Sequence, residues 1–196
     1  MLNARSRAHA SVGRAPDTVR KGAYYAELLN GDIAWASSDA GNDVRDIAQA
    51  FDGQSVSPNW SSAFHGICHG VDYFKTPLVV RYSFQRALTD MRGGLPFRGA
   101  KGSVRTVTSI KLWQTASHHS TGRVVVSYRE LSSGRVSPVV GASVSGFTSV
   151  KPGSLLTISF AAVRTDMVQV QIYAHENTKN PICVGFTEME IHGCAG

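Results

Sequence analysis

Residues 166–174, "DMVQVQIYA", alternate apolar and polar side chains without a break: Val168, Val170 and Ile172 fall on one side, Gln169, Gln171 and Tyr173 on the other. A period of two puts successive side chains on opposite faces of an extended chain, so the segment reads as a strand with one buried and one wet face. The pattern recurs. In "LVVRYSF", Leu78, Val80, Tyr82 and Phe84 share a face, and in "GRVVVSYREL", Val124, Val126 and Tyr128 oppose Val125, Ser127 and Arg129. Further strands are expected near 106–113, 136–144, 155–162 and 184–192, separated by turn-forming clusters such as "SSGRVSP" and "VKPGS". Helix is scarce: only "NDVRDIAQAF", with Val44, Ile47, Ala48 and Phe51 at helical spacing after Asn42, predicts a turn or two. The chain therefore reads as all-β, an antiparallel β-sandwich or jelly roll.

A chain of 196 residues with 42% hydrophobic and 17% charged residues can bury one sizeable core and does not have a disordered composition. Its basic charge is uneven. Residues 1–22 hold Arg5, Arg7, Arg14, Arg20 and Lys21 against Asp17, a net of 5 − 1 = +4 out of +6, which leaves +2 for the other 174. Two parts are thus expected: a basic N-terminal arm, 1–22, and a sandwich domain, 23–196. Such an arm can be a solvated tail, an Arg- and Ser-rich mitochondrial targeting segment, or a strap on an acidic protein surface, anionic lipid or nucleic acid. No apolar run reaches the length of a membrane span, and residues 1–22 lack the apolar stretch of a secretory signal. Cys68, Cys183 and Cys194 are odd in number, which suits free thiols in a reducing compartment. The location expected from these features is intracellular, in an organelle or a large assembly.

Both ends of the presumed sandwich carry a further signature. "IAWASSDAGNDVRDIAQAFDGQSVSPNW" pairs a small-residue strand with an Asp52-Gly53 turn and then Trp60, and "VQVQIYAHENTKNPICVGFTEMEIHGC" closes on Glu190-Ile191-His192-Gly193-Cys194. The two segments resemble the opening and closing strands of discoidin domains, the family of the coagulation factor V and VIII C-domains. The resemblance covers about residues 33–194, with the middle matching as strand pattern. It implies a galactose-binding-like jelly roll in which the Asp-Gly turn lies against the last strand and Trp60 packs beneath it. It also implies a structural calcium ion held by Asp52, Glu188, the carbonyls of Gln49 and Gln54, and Ser57, since calcium takes six to eight oxygens. On the residues alone, Asp52 could instead cap its own turn and Glu188 could be a surface strand residue. Pro58 stands where the family usually has a hydroxyl ligand, and the family's disulfide lacks its first cysteine, only Cys194 matching.

Among other constellations, "FHGICHG" gathers His65, Cys68 and His69, ligand types that suit zinc, in a glycine-flanked loop. "GLPFRGAKGS" has Ala100 between Gly99 and Lys101, which breaks the phosphate-loop register and leaves a basic loop. No catalytic set stands out, and no enzymatic activity is expected. The main expectation is a non-catalytic accessory or adaptor subunit of a larger assembly, held to partner subunits by the basic arm and the sandwich loops. The alternative is a carbohydrate-binding module or lectin. It would bind glycan through Trp60, Phe64, His65, His69 and Tyr73 with Arg98, aromatics for stacking and polar groups for hydroxyls. A minor alternative is a virion coat or decoration protein, with nucleic acid bound only through the arm.

Overall fold

The computed structural model describes residues 23–27, 32–38, 47–53, 55, 64–65, 72–84, 103–115, 121–142, 151–175 and 184–195. Ten strands and one short helix are built from them. In chain order they are β1 (Ala23–Glu27), β2 (Ile33–Ser38), a 3-10 helix (Ile47–Phe51), β3 (Phe64–His65), β4 (Leu78–Ser83), β5 (Arg105–Gln114), β6 (Thr121–Arg129), β7 (Val136–Pro138), β8 (Leu155–Thr165), β9 (Met167–Ala174) and β10 (Gly185–Ala195). They form a six-stranded sheet, β1-β2-β4-β9-β6-β7, and a four-stranded sheet, β3-β10-β5-β8. Every pairing is antiparallel, as the alternation predicts.

The alternating apolar residues of the larger sheet line up across strands. Val80, Val170 and Val126 sit in one row, and Leu78, Ile172 and Val124 in the next. All six are buried. From the smaller sheet, Ile110 and Leu112 on β5, Ile158 on β8, and Phe186 and Met189 on β10 complete a single core. Phe186 and Met189 are three residues apart and both buried, which a regular strand forbids. A register shift against β5 between Phe186 and Glu188 makes Thr187 an extra residue and resets the phase. A second shift precedes Gly193, where an added Cβ would lie 1.9 Å from the Thr106 carbonyl oxygen. Only glycine permits that approach.

The sheets are joined at a tight corner. β8 ends at Thr165 and β9 begins at Met167, so Asp166 alone carries the chain from one sheet to the other. Its carboxylate accepts two hydrogen bonds from Arg129 on β6, from Nε to Oδ1 and from Nη2 to Oδ2, both 2.7 Å. Its carbonyl accepts the Phe84 amide at 3.0 Å, and the Thr165 hydroxyl bonds the Arg129 carbonyl at 2.9 Å.

The outer face of the larger sheet departs from the expectation. Ser127, Arg129 and Gln169 were assigned to the wet side, yet all three are buried. They face away from the core and are satisfied by one another's neighbours: Arg129 by Asp166, and Gln169 by Arg81, whose Nε donates to Oε1 at 2.8 Å. Burial, and after it the like charge of Arg129, holds the Arg81 guanidinium below its usual range. The expected strand at 136–144 is cut to three residues. Pro138 removes a ladder donor and Gly141 turns the chain with φ 79°. β1 was not anticipated. The expected helix is seen as the 3-10 turn, with Asn42 and Val44 outside the described residues.

Val170→Asp buries a carboxylate between two valines and is expected to destabilise the fold by about 3 kcal/mol or more, read as a drop in melting temperature. Asp166→Ala strands the Arg129 charge and should cost about 3–5 kcal/mol in denaturant titration, whereas replacing both residues with apolar ones of similar volume should cost much less.

Candidate functional site

Two places could act on a partner: the junction of the Asp52-Gly53 turn with β10, and the loop end of the sandwich where β4 and β6 begin and β9 finishes.

At the first, the 3-10 helix packs on β10 and delivers Gly53 in the left-handed region, φ 81°, where glycine alone is unstrained. The Gly53 amide donates to Glu188 Oε2 at 3.0 Å. This is the contact between opening turn and closing strand that the family resemblance implies. Glu188 is only 4% exposed, so the reading of it as a surface strand residue is corrected: the turn covers it. Asp52, next to Gly53 in sequence, is half-buried, and Gln49 lies in the helix just before it. Carboxylate and backbone carbonyl oxygens are the donor types that calcium takes. Among the described residues no three His, Cys, Asp or Glu side chains cluster, so an ion here would depend on backbone carbonyls. Gln54 and Ser57 lie outside the described residues.

At the second, residues 72–76 form a tight turn. The Lys75 and Thr76 amides donate to the Asp72 carbonyl at 3.0 and 2.8 Å, and Lys75 Nζ meets Asp72 Oδ2 at 2.8 Å. The turn docks on the sheet through the Ala174 amide, which donates to the Tyr73 carbonyl at 2.9 Å. Tyr73 is fully buried, 0% exposed. As a stacking platform it is corrected to a core residue, because the turn that displays its neighbour folds it inward. The exposed aromatic is that neighbour, Phe74, at 45%; alternation beyond Leu78 does not extend into the turn and could not have distinguished the two. Nearby, Gln114 Nε2 donates to the Thr121 carbonyl at 3.0 Å and its Oε1 accepts the Thr121 amide at 2.9 Å, tying the ends of the 115–120 loop. Phe64 and His65 form β3, opposite Phe186 and Gly185 on the edge of the smaller sheet.

Trp60, His69, Arg98, Cys68 and the arm residues Arg5, Arg7, Arg14, Arg20 and Lys21 lie outside the described residues. Sequence reasoning also missed Arg123, whose guanidinium carbon lies 3.8 Å from the Tyr173 ring centroid. The signal was present, since both residues sit at outward positions of alternating strands. Among the described residues no helix is long and apolar enough to cross a membrane.

No protein-family model matches the chain, and no curated protein matches it. Solved structures do. A CBM32 module from a family 31 glycoside hydrolase of Clostridium perfringens is similar with a TM-score of 0.53 at 12% identity, over 81% of this chain and 87% of that one. A second C. perfringens CBM32 module, solved in complex with GalNAc-β-1,3-galactose, has a TM-score of 0.51 at 11% identity, over 83% and 96%. A putative α-L-fucosidase from Bacteroides thetaiotaomicron has a TM-score of 0.54 at 11% identity, over 86% of this chain but 29% of its own. The fold is therefore an antiparallel β-sandwich like that of these CBM32 modules, the fold class that the strand alternation predicts.

Glu188→Ala removes the acceptor of the Gly53 amide and should destabilise by about 1–3 kcal/mol. Glu188→Gln, which keeps a carbonyl there, should lie closer to wild type in the same melting series. The Asp72 carboxyl is held below its ordinary range, first by the Lys75 hydrogen bond. A depressed carboxylate stabilises the folded turn above its unfolded pKa, about 3.9, and loses that contribution as pH falls through the folded value. Amide exchange at Phe74–Thr76, corrected for intrinsic rates, should therefore accelerate below about pH 4 while the β9 amides stay protected.

Proposed function

We propose that the chain is a non-catalytic carbohydrate-binding module that takes glycan at the loop end of the sandwich. The observation that carries this reading is its shared architecture with CBM32 modules, one of them solved with a GalNAc-containing disaccharide. The shape favours this over the adaptor expectation. At the loop end, exposed Phe74 offers a face for a sugar ring, and His65 is a polar candidate from the sequence. Trp60, Phe64, His69 and Arg98 remain candidates from the sequence. A glycan array probed with the folded full-length chain is expected to show preference for galactose- or GalNAc-terminated structures. Phe74→Ala or Trp60→Ala should weaken binding roughly five- to tenfold, as the loss of a stacking contact of about 1–1.5 kcal/mol implies. A blank array overturns the reading.

Calcium at the Asp52–Glu188 junction is the second element of the proposal. Its support is the buried Glu188 carboxylate drawn to the Asp-Gly turn. An ion there would fix the turn against β10 and so set the adjoining loop, without taking part in chemistry. Calcium should raise the melting temperature relative to chelator, and Asp52→Ala should abolish the difference. Superimposable wild-type curves in both conditions remove the site.

The charge split of +4 in residues 1–22 against +2 elsewhere favours an added role for the arm, docking on an acidic surface. Deleting residues 1–22 should leave the sandwich folded while abolishing any salt-sensitive association with acidic partners.

A further inference from the structure

The outward row of β9 consists of Gln169, Gln171 and Tyr173, spaced about 6.6 Å apart by the rise of a strand. Gln171 lies in register between Val79 on β4 and Val125 on β6, both half-buried. The row thus has a shallow apolar floor with an amide standing in it. Tyr173 is half-buried, and exposed Arg123 lies across its ring at 3.8 Å from the centroid.

That stacking has a chemical consequence. The ring attracts the cation and holds the guanidinium carbon over its face. The N–H bonds of a guanidinium form a rigid planar fork, and Arg123 is exposed, so the fork is open to a ligand from solvent. Among the described residues no carboxylate pairs with Arg123. Asp166, which lies at the end of this face, is committed to Arg129. A planar carboxylate meets such a fork with two parallel, charge-assisted hydrogen bonds. The neighbouring Gln171 amide can donate to and accept from hydroxyls, and Val79 and Val125 offer contact to the apolar face of a sugar.

The geometry points to a binding strip for a carboxylate-bearing glycan on the outer face of the larger sheet. Arg123 takes the carboxylate, Tyr173 acts as the positioning residue for Arg123, and Gln171 reads a hydroxyl. This rests on the carbohydrate-binding reading and deepens it, by giving the ligand a charge and placing it on a sheet face in addition to the loop end.

The test uses the full-length chain on an array of neutral, uronate-bearing, sialylated and sulfated oligosaccharides, followed by calorimetric titration of the strongest carboxylated probe. Carboxylated glycans should be bound. Arg123→Gln should weaken them by about tenfold to a hundredfold, the range for losing hydrogen bonds to a charged group, and leave neutral glycans unchanged. Arg123→Lys, which keeps the charge and loses the fork, should recover only part of the affinity, and Tyr173→Leu should weaken the same probes. Arg123 is exposed, so an unaltered melting temperature will certify that the variants are folded. Carboxylated binding that persists in Arg123→Gln overturns the inference. Binding confined to neutral or sulfated glycans also overturns it but leaves the carbohydrate reading intact, whereas a blank array overturns both.

Discussion

The bidentate bond between Arg129 and Asp166 sits where the chain changes sheets. A sandwich needs its two sheets held at a fixed separation and angle, and a one-residue crossing leaves no slack to absorb error. Arg129 fixes that crossing from β6, the Phe84 amide from the end of β4, and the Thr165 hydroxyl from within the turn. Three strands of the larger sheet and the edge strand of the smaller one thus meet at the Thr165–Asp166 corner. Burying both ions costs solvation, and that cost is offset by a two-bond pairing in which each guanidinium–carboxylate bond is 2.7 Å. From this corner β9 runs down the middle of the larger sheet between β4 and β6, so an error in the corner would shift the register of the whole central ladder.

The second organising element is the irregularity of β10. Its extra residue at Thr187 lets Phe186 and Met189 both enter the core and leaves Glu188 meeting the Asp52-Gly53 turn. Residues 135 positions apart are joined by that single hydrogen bond. Its effect is to couple the first long connection of the chain to its last strand. Contacts of this separation are slow to form because the loop entropy must be met first.

The two surfaces proposed for recognition are built differently. One is built of turns, with Phe74 displayed by the same turn that buries Tyr73. The other is built of strands, where Arg123, Tyr173 and Gln171 are positioned by ladder register and not by loop conformation. The edges of the larger sheet are less inviting. β7 is short and ends in Pro138, a usual way to blunt an edge. The likeness in shape to carbohydrate-binding modules comes at 11–12% identity, so chemistry has to be read from these side chains and not from the fold.

The sequence by itself determined the inward rows. Leu78, Val80, Val124, Val126, Val168, Val170 and Ile172 alternate strictly, and all are buried as that period requires. The resemblance of its two ends to discoidin strands also anticipates the contact of the Asp-Gly turn with the closing strand. Tertiary structure decided the rest. Alternation divides a strand into two faces but does not say what lies over the second one, so Gln169, Ser127 and Arg129 read as wet and are buried among polar partners. Period two also stops at a bulge or a turn. For that reason Glu188 could not be placed inside, nor Phe74 outside, before the chain had folded back on itself: a side chain's direction in such segments is set by hydrogen bonds to residues far away in sequence, and local pattern carries no record of them.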